Sequence, residues 1–397
     1  MKIITSALCI FTTVQEKFDY TIIGAGAAGT LLAYEMTKNP FFSQKRILIL
    51  DRGDDERLDR TWSYWERGDG ELDHLLLHEW TQFEVAFKQK RYLHRMHPYR
   101  YKTIEGTAFH QYFDAEFLKH QNILIRHEEV QDCVETDQGV TIHCQSQNVY
   151  QTKLVFDSRF NYPELKNQTK YPVLQQHFIG WFIQAPEGSF NPEEIVFMDF
   201  DIPQKNETRF LYVLPLSDQK ALVEYTLFSK ELLTKEEYEN GIRAYLLKIN
   251  ITDYTIEEKE QGTIPMSCYS FQSANRSSLL HIGTAGGWTK ASTGFTFKKT
   301  QREIRRLISF LKTGQPLNAF HRKNRFWFYD LLFLDVLEKY NHKGSELFSR
   351  MFDKNPPVRI FRFLDEKTTF GEELLVLSSF SIKQIGWFLA AFFKRIF

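Results

Sequence analysis

Residues 18–40 read FDYTIIGAGAAGTLLAYEMTKNP, and this stretch predicts how the chain folds. It begins with an apolar run that ends at the first glycine, which is typical of a buried strand. The residues after the glycines have a helical pattern that closes at Asn39-Pro40. A second apolar run, RILIL at 46–50, follows and ends at an aspartate. The stretch therefore predicts a β-α-β unit that opens an α/β fold.

The glycines of this unit follow the pattern G-x-G-x-x-G. Gly24 permits a tight turn, Gly26 lets a pyrophosphate approach the backbone, and Gly29 allows close packing of the helix. The phosphates would then meet N–H groups at the helix N-terminus. Asp51 ends the second strand, 22 positions after Gly29, where it can accept a hydrogen bond from a ribose hydroxyl. Because strand, helix and terminal acid are all in place, we expect a bound dinucleotide.

A late glycine-rich segment favours FAD over NAD as that dinucleotide. It reads HIGTAGGWTKASTGFTF at residues 281–297. Gly283, Gly286, Gly287 and Gly294 would let the backbone approach a second part of the cofactor at a helix start. The alternative is a loop whose glycines serve only its turns. A single N-terminal fingerprint and a large insertion before this segment also favour FAD.

The remaining chain predicts a discontinuous domain with an insertion. Runs at 153–158 and 278–283 are interpreted as two more buried strands of the first layer. Between 174 and 262, four strand candidates with no helix between them predict an inserted antiparallel sheet. From about residue 300 the pattern is helical, with a break at 355–368. We predict a Rossmann-like FAD-binding domain (17–73, 96–160 and 262–312), a substrate domain (74–95 and 161–261) and a C-terminal helical segment (313–397).

Composition narrows the function classes. Lysine plus arginine equals aspartate plus glutamate, at 50 each, so overall charge provides no argument for nucleic-acid binding. The four cysteines form no CxxC pair and no metal-ligand spacing with histidine. Neither a zinc site nor a disulfide scaffold is indicated, and a reducing compartment fits. The first residues are interpreted as an N-terminal extension rather than a signal peptide, because no clear cleavage site follows the short apolar stretch.

Residues 214–226 read LPLSDQKALVEYT and raise a question about one carboxylate. Leu222, Glu224, Thr226 and Phe228 share one face of the predicted strand, and the alternate, wholly apolar face should pack on the core. The face of Glu224 therefore meets either water or a ligand cavity, and periodicity leaves both open. The 36 Phe, 18 Tyr and 7 Trp likewise fit either a Phe-rich core or a pocket for a large apolar ligand.

The C-terminal stretch IKQIGWFLAAFFKRIF (382–397) is amphipathic. It is aromatic and aliphatic, too short to span a bilayer, and interrupted by Lys383, Lys394 and Arg395. Such a segment can lie in a membrane interface with its basic residues facing anionic lipid. The alternative is a final helix packed on the body of the protein, and the sequence leaves both open.

Segments along nearly the whole chain carry a further resemblance. They are DYTIIGAGAAGTLLA (19–33), RTWSYWE (60–66), VFDSR (155–159), QHFIGWFI (176–183), FMDFD (197–201), RFLYVLPLS (209–217), LVEYT (222–226), EQGTIPM (260–266), GTAGGWTKASTGFTF (283–297) and RFLDEKT (362–368). RTWSYWE, MDF and KASTGFTF are more particular than the glycine fingerprint, which many flavoproteins share. Through these segments the chain resembles the lycopene β-cyclases of carotenoid biosynthesis, of the bacterial type.

The resemblance implies an isomerase that closes the ψ end groups of lycopene into β-ionone rings without net redox change. FAD is active in its reduced form in this family, and NAD(P)H is the implied reductant. The chemistry is acid catalysis on an alkene, which needs a positioned acid in a dry site. Glu224 matches the family's essential glutamate, and Asp199 is the next candidate. Plant enzymes carry two adjacent glutamates here, and Tyr225 stands in the second place, so a mechanism with paired neighbouring carboxylates is in doubt.

The resembling segments also contain the remaining candidate site residues. Arg60 and Asp157 are candidates for cofactor binding. The candidates for the substrate cavity are Trp62, Tyr64, Trp65, Trp181 and Tyr225. For any one of these aromatic residues, packing between sub-domains is the alternative.

The implied partners are lycopene or a related acyclic carotene, a membrane lipid surface and other enzymes of the pathway. A bilayer-soluble substrate implies a cytoplasmic protein held peripherally on the inner face of the plasma membrane. The main alternative is a redox flavoenzyme of the same fold, either a monooxygenase or an isoprenoid or carotenoid reductase. Thr284 disfavours that alternative, because such enzymes usually carry an aspartate after this glycine. A flavin-bearing carotenoid binder without catalytic activity is a third reading.

Overall fold

The computed structural model describes residues 16–53, 60–320 and 323–397, so the predicted N-terminal extension lies outside the described residues. Its strands, in chain order, are β1 (Lys17–Ile23), β2 (Ile47–Asp51), β3 (Thr61–Arg67), β4 (Leu76–Trp80), β5 (Gln82–Phe87), β6 (Lys90–Arg95), β7 (Tyr99–Glu105), β8 (Ile123–His127), β9 (Val130–Thr136), β10 (Gly139–Cys144), β11 (Val149–Asp157), β12 (Leu174–Gln184), β13 (Glu194–Asp199), β14 (Thr208–Pro215), β15 (Lys220–Ser229), β16 (Thr255–Met266) and β17 (Leu279–His281). Its helices are α1 (Ala27–Thr37), α2 (Gly106–Phe117), α3 (Tyr162–Asn167), α4 (Lys235–Lys248), α5 (Phe297–Leu311), α6 (Arg325–Lys339), α7 (Gly344–Lys354), α8 (Pro357–Leu364), α9 (Phe370–Ser378) and α10 (Ile382–Ile396).

The first sheet contains the predicted β-α-β unit. Its strand order is β8-β2-β1-β11-β10-β9, and β17 pairs with β11. The strands β8, β2, β1, β11 and β17 are parallel, while β10 and β9 return antiparallel at one edge. The strands predicted at 153–158 and 278–283 are therefore confirmed as members of this layer. Buried side chains of β1 and β2 pack with α1, α2 and α5 in one apolar core.

The inserted sheet has seven strands, in the order β16-β12-β15-β14-β13-β5-β6. The four strands predicted between 174 and 262 are present as β12 to β15, and β16 joins them. One pairing differs from the prediction: β13 and β5 run parallel, because β5 enters the sheet from a separate part of the chain. The helix α4, which follows β15, was not predicted, and it covers one face of this sheet.

The C-terminal helices pack against the other face of the inserted sheet. Side chains of α6, α7 and α8 share an apolar core with β5, β13 and β14. The predicted break at 355–368 is wrong over its central part, where α8 forms. Pro357 lies in the first turn of α8. An N–H at this position has no partner within the helix, so proline loses no hydrogen bond there, and its φ is already close to the helical value. A three-stranded antiparallel sheet, β3-β7-β4, completes the described part of the chain and contains most of the RTWSYWE segment.

Candidate functional site

Glu224 lies on the face of β15 that looks into the molecule rather than into solvent. Its side chain is only 7% exposed. The neighbours on the same face, Leu222 and Phe228, line the same cavity. From strand alternation alone, the face that carries Glu224 could border either water or a ligand cavity. The C-terminal helices pack over that face and enclose it. The cavity, and not bulk water, is therefore what Glu224 meets.

The opposite face of the sheet packs on α4, as its apolar pattern predicted. Tyr225 and Trp181 lie there, in a core that also contains Tyr238, Ile242 and Tyr245. The Tyr225 ring lies so close to Gly241 of α4 that a Cβ at that glycine would come within 2.5 Å of it. The structure therefore places neither Tyr225 nor Trp181 in the cavity that Glu224 lines. Both residues alternate with the cavity-facing positions of their strands, which turns their side chains to the other side of the sheet.

A second glutamate, Glu260 on β16, shares the cavity with Glu224. The central strand β12 lies between their strands, and Gly180 pairs in register with both glutamates. Residues in register on neighbouring strands point to the same face. Gly180 has no side chain to separate them: a Cβ there would lie 2.9 Å from Leu222 Cδ1 and 3.2 Å from Glu260 Cγ. The two carboxyl groups therefore face the same small volume.

Both carboxyl groups are held in conditions that favour their protonated forms. Burial, followed by the charge of Glu260, raises the pKa of Glu224 to about 8. Burial also raises the pKa of Glu260 to about 7, against a lowering by the Thr61 hydroxyl. That hydroxyl donates to Glu260 Oε2 over 2.9 Å, and the Thr226 hydroxyl donates to Glu224 Oε1. One acid in this pair can therefore hold a proton at neutral pH.

Sequence reasoning missed Glu260 because its strand reads as a solvated one. The run TIEEKEQGTIPM contains three glutamates, and most of its first half is exposed. The signal that was available is the glycine at position 180, in the middle of an otherwise bulky strand. A glycine inside a strand often marks a close approach of other atoms.

The cavity around the two glutamates is lined by 11 aromatic residues and measures about 150 Å³. A cavity of this size holds a single small ring. The Tyr212 hydroxyl donates a hydrogen bond to the Tyr101 hydroxyl over 2.6 Å, and burial raises the pKa of both phenols. The aromatic lining residues are Trp62, Tyr101, Phe178, Phe197, Phe210, Tyr212, Phe228, Phe295, Phe297, Phe348 and Phe352.

The glycine loop after β1 lines a separate cavity of about 530 Å³. Gly24 has φ +90°, and a Cβ there would collide with Ser158, while the space beside Gly26 is open. A Cβ at Gly29 would collide with the Gly24 carbonyl oxygen. The first turn of α1 carries no acidic residue and no side-chain cap, which leaves its N–H groups available to a phosphate. This loop fits the pyrophosphate of a dinucleotide.

The other predicted cofactor residues divide between cavities. Asp51, Arg60 and Gly283 line the cavity of the glycine loop. Asp51 Oδ2 accepts a hydrogen bond from the Ala25 N–H over 2.7 Å, so the acid also braces the loop. Asp157, at the end of β11, does not line this cavity: its carboxylate is paired with Arg159 at 2.7 Å.

The late glycine segment passes three cavities rather than one. Gly283 lies at the glycine loop, whereas Gly294 lines the cavity of Glu224 and Glu260. A Cβ at Gly294 would collide with the Gln176 side chain, which explains the absence of a side chain there. Gly286 and Gly287 line a third, polar cavity beneath α5 and α6. Of the four glycines of this segment, the structure therefore brings only Gly283 to the loop of Gly24.

Trp62 joins the two main cavities. Together with Thr296 and Phe297 it lines both the glycine-loop cavity and the cavity of the two glutamates. Tyr64, two residues along the same strand, stacks on Phe297 with ring centroids 4.8 Å apart and does not reach the glutamates. Trp65 packs on Phe361 of α8 and lies outside that cavity as well. Of the tryptophans and tyrosines predicted for the substrate cavity, Trp62 alone lines it.

Asp199 is buried but faces away from Glu224. Its carboxylate lies 3.2 Å from Arg91 and 3.6 Å from Lys248, and it accepts a hydrogen bond from the Tyr245 hydroxyl over 3.3 Å. These partners lie on β6 and α4, on the side of the sheet opposite the cavity. Phe197 and Met198 of the same strand do line the cavity. The contacts of Asp199 are those of an ion-paired structural group.

The fold is the one found in a class of flavoproteins, with a Rossmann-like FAD-binding fold, an inserted sheet and C-terminal helices. A geranylgeranyl bacteriochlorophyll reductase-like protein from Thermoplasma acidophilum superposes with a TM-score of 0.59 at 11% identity, over 92% of this chain and 96% of that chain. A variant of the halogenase PltM, solved in complex with FAD, gives a TM-score of 0.59 at 13% identity, over 94% and 86%. At these identities the likeness shows the fold alone, and the predicted fold class is confirmed.

Within this class, the chain belongs to the lycopene cyclase family. The family profile described as "Lycopene cyclase protein" matches residues 19–386. The lycopene beta-cyclase of Pantoea ananas is 25% identical over 292 residues, which cover 71% of this chain and 72% of that relative. The resemblance inferred from the sequence segments is thereby confirmed.

Proposed function

We propose that this protein is a lycopene β-cyclase that closes the ψ end groups of lycopene to β-ionone rings, forming γ-carotene and then β-carotene. A proton adds to the terminal double bond, the neighbouring alkene attacks the resulting cation, and a ring proton is lost. Atoms and electrons balance, so the product is an isomer of the substrate. The observation that carries the proposal is the buried, aromatic-lined pair of Glu224 and Glu260 beside the glycine-loop cavity.

Glu224 is the proton donor. Its raised pKa keeps the carboxyl protonated up to about pH 8, so the acid is present at neutral pH without bulk water. Glu260 has the lower pKa and is the base that takes up the ring proton. The two groups lie on either side of Gly180, so one proton can pass between them to restore the starting state. This assignment replaces the adjacent pair of plant enzymes with a pair contributed by separate strands.

The aromatic walls stabilise the cationic stages. The side chains of Trp62, Phe178 and Phe295 border the same volume as the carboxyl groups. A ring face attracts a positive charge through its quadrupole, by about 0.5 to 2 kcal/mol per ring. The lining also excludes water, which would otherwise capture the cation and give an alcohol.

FAD fits the glycine-loop cavity. Gly24, Gly26 and the start of α1 would hold the pyrophosphate, Asp51 the ribose and Arg60 a phosphate. When bound in its reduced form, with NAD(P)H as reductant, FAD supplies an electron-rich ring whose charge favours cationic stages of the substrate. Trp62, Thr296 and Phe297 border both cavities and are the residues that would separate or connect cofactor and substrate.

The place of action we propose is the inner face of the plasma membrane, where lycopene is dissolved and where other enzymes of the pathway work. No helix within 16–53, 60–320 and 323–397 is long and apolar enough to cross a membrane. The cysteines at 133, 144 and 268 are free and buried, in keeping with a reducing compartment. We therefore propose peripheral contact with the membrane.

The mass of the product tests the function. Lycopene in liposomes, incubated anaerobically with the protein, FAD and dithionite, should give one or two cyclised products of unchanged mass. Glu224→Gln should retain flavin absorbance and bind lycopene but show no turnover. If the protein were a carotenoid binder without catalytic activity, this variant and the wild type would behave alike. A product two hydrogens heavier, or one oxygen heavier when air is admitted, would establish the reductase or the monooxygenase instead.

A further inference from the structure

The exposed apolar side chains of this protein are concentrated on its last two helices. Of the 18 large hydrophobic residues exposed in the described ranges, 10 lie between residues 370 and 397. We call this set the α9–α10 patch. Its members are Phe370, Leu374, Leu375, Leu377, Ile382, Ile385, Leu389, Phe393, Ile396 and Phe397. Apolar surface of this extent on a folded chain marks an interaction site.

The patch is held in a defined geometry. On its inner side α10 is anchored to α6: Trp387 stacks on Tyr340 with ring centroids 4.3 Å apart, and Arg395 pairs with Asp335 at 2.6 Å. Capping boxes at Thr369 and Ser381 start α9 and α10. The C-terminal helix is therefore packed on the body, which was one of the two alternatives, and its outer side is apolar.

An apolar cavity of about 420 Å³ opens through this patch. Phe370, Leu374, Leu377, Ile385 and Leu389 are 38 to 66% exposed and also line the cavity, so they form its mouth. The two acids along it have partners: Asp330 lies 2.9 Å from Lys290, and Glu373 lies 2.7 Å from Arg325. The interior is otherwise almost entirely aromatic and aliphatic.

The inner end of this cavity meets the cavity of the two glutamates. Thr293, Phe348, Met351 and Leu364 line both. The glutamate cavity, at about 150 Å³, has room for one ring and not for a long chain. A polyene with its end group at Glu224 needs a second apolar volume for the rest of its length, and the cavity under α9 and α10 is adjacent and of the right character.

We propose that the α9–α10 patch docks on a lipid bilayer and that the cavity behind it is the channel through which the polyene passes from the membrane to Glu224. This inference rests on the proposed function and adds the route of the substrate. The charge of α10 fits an anionic lipid surface: it has no acidic residue, Lys383 and Lys394 are exposed, and Asp335 neutralises one of its three basic charges.

A pair of tryptophans at the mouth tests the channel. Leu377→Trp with Ile385→Trp narrows the opening while keeping it apolar, and the matched control is Leu118→Trp with Leu247→Trp, at exposed sites 88 and 65% accessible elsewhere on the surface. Flavin absorbance verifies folding, and the single Leu377→Trp variant carries the test if the pair binds no flavin. We expect conversion of liposomal lycopene to fall at least tenfold in the mouth variant and to stay within twofold in the control. Equal conversion by both would overturn the channel.

Charges in the patch test the docking step separately. Leu374→Asp with Leu389→Asp should lower sedimentation with phosphatidylglycerol vesicles at least tenfold, while Leu118→Asp with Leu247→Asp should not. Unchanged sedimentation of the patch variant would overturn the docking surface. If the wild-type protein sediments with vesicles but yields no cyclised product under reducing conditions, the proposed function fails while the docking surface stands. The two failures are thus distinguishable.

Discussion

Glu224 and Glu260 face one another across Gly180, with which both are paired in register from the neighbouring strands β15 and β16. Ionising both acids in one apolar cavity is unfavourable, and the charge of Glu260 contributes to the raised pKa of Glu224. The pair is built by three strands of one sheet, so its geometry depends on strand register and on the absence of a side chain at position 180.

The pair predicts a bell-shaped pH profile of the cyclisation rate. Turnover should fall above about pH 8 as Glu224 loses its proton, and below about pH 7 as Glu260 gains one. In Glu260→Gln the acidic limb should disappear. Its alkaline limb should move to lower pH, because the charge that raises the pKa of Glu224 is removed. Single-turnover rates between pH 5 and 10 measure both limbs.

The matched control for that profile is Glu257→Gln, the same change at an exposed position of β16 that pairs with Lys220. It should leave both limbs in place. A Glu260→Gln profile identical to that of wild type would show that Glu260 takes no part in the proton transfers.

Gly180→Ala should uncouple the pair. The new methyl group would lie 2.9 Å from Leu222 Cδ1 and 3.2 Å from Glu260 Cγ, so the Leu222 side chain must shift and Glu260 must give way slightly. We expect a stability loss of about 1 to 3 kcal/mol, as for other overpacked sites, and a tenfold or greater loss of turnover. Gly386→Ala, in α10 with nothing within 4 Å, should be neutral or stabilising. Thermal unfolding of both variants checks the contrast, which equal losses would contradict.

Asp199→Asn separates a structural aspartate from a catalytic one. Removing the charge weakens the contacts with Arg91 and Lys248, which should cost about 1 to 3 kcal/mol of unfolding free energy. Turnover per folded, flavin-loaded molecule should change less than threefold, because the carboxylate faces away from the cavity. A loss comparable to that of Glu224→Gln, with flavin still bound, would instead restore Asp199 as a catalytic residue.

Replacing Glu224 should stabilise the protein at alkaline pH. The pKa of Glu224 is about 8 in the folded protein against about 4.5 when unfolded, so the folded state retains a proton that the unfolded state has released. Wild-type stability therefore falls as pH rises through this window, by about 1.4 kcal/mol per pH unit for each such group. Glu224→Gln lacks this pH-dependent loss of stability. Its free energy of unfolding, relative to that of wild type, should therefore increase from pH 5 to 8 and then level off.

Urea unfolding of the flavin-free proteins at pH 5, 7 and 9 measures this difference in the free energy of unfolding. Glu257→Gln is again the control, since an exposed carboxyl should show little pH-dependent gain. A Glu224→Gln curve parallel to wild type at all three pH values would mean that Glu224 is solvated in solution.

Local patterns predicted much of this protein. The spacing of Gly24, Gly26 and Gly29 determined the turn, because a phosphate loop needs a short stretch of backbone without side chains. Alternation along residues 222–228 determined which side chains share a face with Glu224, since a strand repeats every two residues. The segments resembling the lycopene cyclases indicated the family. These properties are encoded within a few consecutive residues, so the sequence alone contains them.

The tertiary structure decided that the face of β15 with Glu224 borders a cavity and not bulk water. Glu260 comes from a strand 36 positions further along, and only the register of β12 with both neighbours brings the two acids together. The same sheet turns Tyr225 and Trp181 to its far side, although they lie within the family segments. The packing of α9 and α10 leaves an apolar cavity that no motif encodes. Such features depend on contacts between distant parts of the chain, which periodicity and spacing do not specify.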